Sequence, residues 1–209
     1  MNNPKKIVIT TGGTGGHIFP AFGLAQHFIS NKLNVEIISD KRGLKFLKNV
    51  SNIKIIQINS TTIFKKNIFE FLFSSVLILS SIIKSLIYLI SNRPDLVFGM
   101  GGYSSFPVCI AAKALRIPFI IYENNLCLGK ANRYLLPFAK KIFVSFQEVE
   151  GIPKKYEIKI CKIGNIIRKE ILNFQGQFRR DASNKKLNIL ILGGSQAAKV
   201  FAEKLPAVF

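Results

Sequence analysis

The chain reads as an α/β protein built around a parallel sheet. Short β-branched runs alternate with helix-like segments along its 209 residues. Two of these strand-like runs break directly into glycine-rich turns that open helices. The run "LNILILGGSQAAKVFAEKL" near the C-terminus repeats the plan of the opening: an apolar strand, a Gly-Gly turn with a hydroxyl residue, then a helix.

In chain order, strands are expected near 5–11, 34–39, 53–58, 95–99, 118–122, 140–145, 158–163 and 187–192. The first leads into "TTGGTGGHIFP", where Gly12, Gly13, Gly15 and Gly16 let backbone N–H groups approach a ligand at a helix N-terminus, a place that favours phosphate. The same glycines also suit a tight turn without a ligand. The spacing is neither the G-x-G-x-x-G dinucleotide fingerprint nor a P-loop. His17 ends the run at the mouth of the sheet, where its ordinary pKa near 6.5 suits proton transfer, although capping or loop packing would place an imidazole there too. In the helix that follows, Ala21, Leu24, Ala25 and Phe28 form the inward stripe, which leaves His27 at the surface. The strand at 95–99 runs into Gly101, Gly102, Tyr103 and Ser104, a second glycine turn able to face the first across a crevice. The strand at 118–122 ends at Glu123, Asn124 and Asn125, able to bind hydroxyls or orient a base, or simply a polar strand-end turn. Gly164, Asn165 and Arg168 follow a later strand, and a guanidinium there can make charge-assisted bonds to phosphate or carboxylate.

Composition narrows the partners. With 30 Lys+Arg against 11 Asp+Glu the formal charge is +19, so an anionic partner is expected. The basic residues are scattered and no nucleic-acid motif occurs, which argues against nucleic acid. Cys109, Cys127 and Cys161 are far apart, without metal-ligand or disulfide-framework spacing, which fits a reducing compartment. "MNNPKKIVIT" enters a strand without a cleavable signal pattern, so export is not expected. The polar stretch 173–186 reads as a linker, which divides the chain into a Rossmann-like domain at 1–172 and the start of a second at 187–209.

"TTGGTGGHIFP", "GMGGYSSFP", "YENNLCLGKANR", "KIGNIIR" and "LILGGSQAAK" occur in the order of the MurG family, which the chain resembles over essentially its whole length. That resemblance implies the two-domain GT-B fold. It also implies inverting transfer of N-acetylglucosamine from UDP-N-acetylglucosamine to the 4-hydroxyl of the muramoyl sugar of lipid I (undecaprenyl-pyrophosphoryl-muramoyl-pentapeptide), which forms lipid II. No metal or cofactor is implied. The cellular setting would be peptidoglycan synthesis, cell shape and division, on the cytoplasmic face of the bacterial inner membrane. By the same resemblance Thr14, Gly15, Gly16, Asn125, Arg168 and Ser195 are donor-binding. Gly13, Gly102 and Tyr103 are acceptor-side, with His17 as the base. Three segments depart from the family's pattern. Its His-Glu-Gln-Asn reads Tyr122-Glu123-Asn124-Asn125, its Gly-Asn-Pro-Val-Arg reads Gly164-Asn165-Ile166-Ile167-Arg168, and Ala197 replaces the last glycine of Gly-Gly-Ser-Gln-Gly-Ala.

The segment 68–90 is apolar and long enough to cross a bilayer, but Glu70 and Lys84 interrupt it. A helix with one face on the sheet and the other on an anionic membrane surface is the preferred reading, against a spanning or a wholly buried helix. An alternative to the transferase is a catalytically inactive acceptor-half fragment, because the family's donor-gripping glutamate and glutamine have no counterpart up to residue 209. The expected outcome is that these 209 residues alone transfer no detectable N-acetylglucosamine while a form carrying a donor domain does. Turnover dependent on UDP-N-acetylglucosamine by the 209 residues would contradict it.

Overall fold

The computed structural model describes residues 5–47, 53–60, 67–173, 189, 191 and 198–204. It divides into two compact units, Met1–Lys169 and Glu170–Phe209. In the first unit, β1 (Lys6–Thr11) leads into α1 (Gly15–Ser30), β2 (Asn34–Ser39), α2 (Lys41–Leu44), β3 (Lys54–Gln57) and α3 (Ile68–Asn92). Then come β4 (Leu96–Gly99), α4 (Ser105–Ala114), β5 (Phe119–Glu123), α5 (Lys130–Leu135), β6 (Lys141–Val144) and β7 (Ile160–Lys162). The short α6 (Lys169–Leu172) begins at the unit boundary, and α7 (Ala198–Lys204) is the described helix of the second unit. Ser195 and Ala197, and most of the expected linker and eighth strand, lie outside the described residues.

All seven strands pair in parallel, in the order β3-β2-β1-β4-β5-β6-β7. The order reverses between β1 and β4, and the two glycine turns leave the sheet from the carboxyl ends of those two strands. A doubly wound sheet opens a ligand crevice at such a switch point. The seven expected strands that fall within the described residues are formed. The run at 158–163 shortens to three residues because a 3₁₀ turn, Lys154–Lys159, follows Pro153 and uses up its start.

Helices cover both faces of the sheet, so the strands are apolar throughout rather than alternating. In β1 Ile7 and Ile9 pack with α1 residues Ile18, Ala21 and Ala25, whereas Val8 points to the other face, into a core with Leu89 of α3 and Val108 and Ala112 of α4. Val97 and Phe98 of β4 split between the two cores in the same way.

The long helix α3 is turned against its hydropathy. Ser74, Ser81, Ser85 and Leu89 are its buried residues. Phe69, Phe73, Val76 and Leu79 are 77%, 66%, 65% and 58% exposed. The serines repeat at helical spacing along one stripe, and their small side chains let α3 lie close along α4. Two of the hydroxyls are paired: Ser85 Oγ donates to Ser81 O within the helix at 2.7 Å, and Ser81 Oγ donates to Asn59 O, beyond β3, at 2.7 Å. By length and composition the helix could cross a membrane. Leu86, Tyr88 and Leu89 pack on the core, but most of its large apolar residues face outward, so the helix is not wholly inside the core. A leucine in place of Ser85 overfills this contact, so Ser85→Leu is expected to lose about 1–3 kcal/mol. Leu79→Ser, on the exposed stripe, stays within about 0.5 kcal/mol of the parent. Urea denaturation of both variants checks the orientation, and equal losses would contradict it.

Candidate active site

The first glycine loop is held in place by a buried carboxylate. Gly13 adopts φ +85° and donates its N–H to Asp40 Oδ1 at 3.1 Å. Asp40, at the end of β2, also caps α2 by accepting from Gly43 N at 2.8 Å. It further accepts from Ser60 Oγ at 2.7 Å and from Arg42 Nη2 at 3.1 Å. Burial pushes the Asp40 pKa up, but the hydrogen bonds from Ser60, Gly43, Gly13 and Arg42 outweigh it and hold the carboxyl below its ordinary value.

The second loop closes on the first. Gly101 and Gly102 have φ +82° and +76°. A Cβ on Gly102 would stand 2.9 Å from the Gly12 carbonyl oxygen, and one on Gly101 would stand 3.1 Å from the His17 ring. Both positions therefore need glycine for backbone conformation and for contact. Ser105 Oγ, at the start of α4, binds the two loops together by hydrogen bonds to Thr10 O at 2.9 Å and Gly101 O at 2.7 Å.

The third loop surrounds Glu123, which is 2% exposed. Its Oε1 accepts from Asn125 N at 3.1 Å and Asn125 Nδ2 at 2.8 Å, and its Oε2 from Gly129 N at 2.8 Å and Asn132 Nδ2 at 3.0 Å. Asn124 Nδ2 reaches across to Gly16 O at 3.0 Å and joins this loop to α1. Together the loops frame a cleft of about 300 Å³ lined by His17, Gly101, Gly102, Tyr103, Glu123, Asn125 and residues 129–132.

Burial lowers the His17 pKa below its ordinary 6.5, and the Glu123 carboxylate pulls the other way without reversing it. The imidazole is thus neutral at neutral pH, with the Met100 backbone adding a smaller pull toward the charged form. Among the described residues the exposed His27 bonds to its own helix end, as expected for a surface residue.

Of the residues expected at the site, His17, Gly102, Tyr103 and Asn125 line the cleft. Thr14, Gly15 and Gly16 open α1 beside it, with Thr14 as the N-cap, and Gly13 is pinned to Asp40. Arg168 stacks its guanidinium 4.2 Å from the centre of the Phe19 ring on the same helix. Ser195 lies outside the described residues. Asp40, Gly129, Lys130 and Asn132 were not expected. The signal for Asp40 was its place between a strand and "KRGL", where an N-cap is wanted. The signal for Asn132 was its position one helical turn into the segment after Gly129.

Residues 7–144 match the Glycosyltransferase family 28 N-terminal domain. The chain belongs to glycosyltransferase family 28. Two relatives are each named UDP-N-acetylglucosamine--N-acetylmuramyl-(pentapeptide) pyrophosphoryl-undecaprenol N-acetylglucosamine transferase. The one from Pelagibacter ubique is 36% identical over 94% of this chain and 54% of its own length. The one from Rickettsia canadensis is 37% identical over 97% of this chain and 56% of its own. The crystal structure of Acinetobacter baumannii MurG superposes with a TM-score of 0.73 at 29% identity, over 97% of this chain and 56% of that one. The chain thus spans about half the length of these relatives, and the expected GT-B architecture is represented by its family 28 N-terminal domain.

The lowered His17 pKa has a consequence for stability. The unfolded chain binds a proton near pH 6.5 that the folded chain takes up only at lower pH. Stability is therefore lost as pH falls through 6.5 and below, and is fully present above it. Asp40, depressed from 3.8, acts in a separate and more acidic window. Melting temperature measured from pH 7.5 to 5 is expected to fall less steeply in His17→Asn than in the parent. Equal slopes would contradict the burial of a neutral imidazole.

Proposed function

We propose that this chain supplies the acceptor-binding domain of a transferase that moves N-acetylglucosamine from UDP-N-acetylglucosamine to the 4-hydroxyl of the muramoyl sugar of lipid I, forming lipid II. One observation carries the reading: a family 28 N-terminal domain in which two glycine loops and a buried glutamate enclose a neutral histidine. The relatives' names supply the substrates.

In this reading His17 takes the proton of the 4-hydroxyl. The oxygen then attacks the anomeric carbon of the donor sugar, and the bond to UDP breaks with its electron pair leaving on the diphosphate. A neutral imidazole can accept that proton, and the Glu123 carboxylate favours the imidazolium that results. Glu123 is itself held by four donors, so its charge is fixed in place. Gly13, Gly102 and Tyr103 border the acceptor. Thr14, Gly15, Gly16, Asn125, Arg168 and Ser195 serve the donor, with backbone N–H groups and the Arg168 cation meeting the diphosphate charge. In a form of the protein that turns over, His17→Ala is expected to lower kcat roughly 10²-fold or more. An unchanged rate with intact folding returns His17 to packing.

Lipid I carries a polyprenyl tail, so the domain must work at a membrane, and the outward apolar stripe of α3 supports peripheral attachment to the cytoplasmic face of the bacterial inner membrane. Ile83, Ile87 and Ile90 extend the stripe along the second half of the helix, at 48%, 62% and 54% exposure. The net charge of +19 favours anionic headgroups. Vesicle binding is expected to rise with anionic lipid and to weaken, without vanishing, at high salt. Replacing the exposed Phe71, Leu72 and Leu79 by Ser is expected to abolish co-sedimentation while circular dichroism stays unchanged. No affinity of the unmodified protein for anionic vesicles at low salt would overturn the membrane reading.

A further inference from the structure

Tyr122 and Ile166, 44 residues apart in the sequence, meet in space. The Tyr122 ring is buried at 2% exposure in the core beneath α1, and its hydroxyl reaches the segment that follows β7. Ile166 donates its N–H to Tyr122 Oη at 3.3 Å. Gly164, at φ +77°, presents its carbonyl oxygen to the same hydroxyl at 3.3 Å. Ser145 Oγ lies 2.7 Å away at the end of β6 and completes the hydroxyl's partners.

Residues 164–168 have no helical or strand hydrogen bonds of their own. They are held at one end by Tyr122 and at the other by Arg168, which stacks on Phe19. Between these points the segment crosses α1 at Gly23, where a Cβ would stand 3.5 Å from the Ile167 carbonyl oxygen. Proline needs no partner for its nitrogen and fixes its own φ near −65°, so a proline at position 166 would stiffen the segment by itself. Isoleucine has a free φ and an N–H that must be satisfied. A tyrosine hydroxyl at position 122 satisfies that N–H and anchors the backbone.

We infer that Tyr122 is a positioning residue: its hydroxyl, through Ile166 N–H and Gly164 O, does by hydrogen bonding what a proline at 166 would do covalently, and so sets where Arg168 sits. The consequence for UDP-sugar binding rests on the donor role proposed for Arg168. The positional claim does not.

The test uses NMR on the 209-residue chain with Tyr122→Phe, Ile166→Pro and the double variant. Phenylalanine keeps the buried ring, and the exchange of core amides such as Ile121 verifies that each variant is folded. Stacking on Phe19 shifts the Arg168 side-chain protons upfield, which provides a direct readout of position. Tyr122→Phe is expected to speed Ile166 amide exchange at least tenfold and to lose at least half of the Arg168 upfield shift. Ile166→Pro alone is expected to keep the shift, and Ile166→Pro added to Tyr122→Phe to restore it. The inference is overturned if Tyr122→Phe leaves both signals unchanged, if proline alone collapses the shift, or if proline fails to restore it in the double variant. In a form that turns over, Tyr122→Phe is further expected to raise KM for UDP-N-acetylglucosamine several-fold with kcat nearly constant. An unchanged KM beside a displaced Arg168 leaves the positioning intact and removes the donor role from Arg168.

Discussion

The site depends on two stretches of bare backbone meeting where the sheet reverses its order. β1 and β4 are neighbours in space although their paired residues, such as Thr10 and Gly99, are 89 positions apart in the sequence, and each releases a glycine loop toward the other. Met100 N donates to Thr10 O at 2.9 Å, which carries the pairing one step beyond the strands. Past that point the Gly12 carbonyl lies so close to Gly102 that no side chain fits between them. This contact fixes His17 against Gly101 and sets the width of the cleft. Around it the polar groups act as fasteners: Asp40 on the first loop, Ser105 across both, and Glu123 with its four donors on the third. Each is buried and multiply bonded, so loss of one partner would leave an unsatisfied group in a low-dielectric setting.

The same chain solves a different problem on the far face. Most amphipathic helices bury their apolar stripe, and α3 buries serines instead. The arrangement is coherent if the medium outside is lipid, because small residues then serve the helix contact and large apolar ones serve the solvent. In water alone, a stripe running from Phe69 to Ile90 would be an association hazard. If the acceptor is lipid I, as proposed, its lipid tail and the outward stripe call for the same location.

Much of the frame was legible because parallel strands buried on both faces leave β-branched runs that stand out from their surroundings. Ile7–Ile9 and Ile37–Ile38 are such runs. The two glycine turns were legible for a related reason: Gly101 and Gly102 have positive φ that few other residues tolerate. The orientation of α3 was not, although Ser74, Ser81 and Ser85 mark a stripe in plain view, since hydropathy alone cannot say which stripe meets protein. The long-range polar contacts were also hidden. Asp40 binds Gly13 across 27 residues and Tyr122 binds Ile166 across 44, pairings that only the strand order brings together. The expectations that rest on Ser195 and Ala197 fall outside the described residues.

The chain holds only two histidines, and this makes the central claim measurable with little ambiguity. Ring signals of His17 and His27 can be followed by NMR while a short-chain, water-soluble lipid I analogue is added. If the two glycine loops and Glu123 frame the acceptor cleft, the His17 signals move with saturable dependence on the analogue and His27, at the far end of α1, stays still. Analogue binding that leaves His17 unmoved would place the acceptor elsewhere and contradict the role given to the cleft.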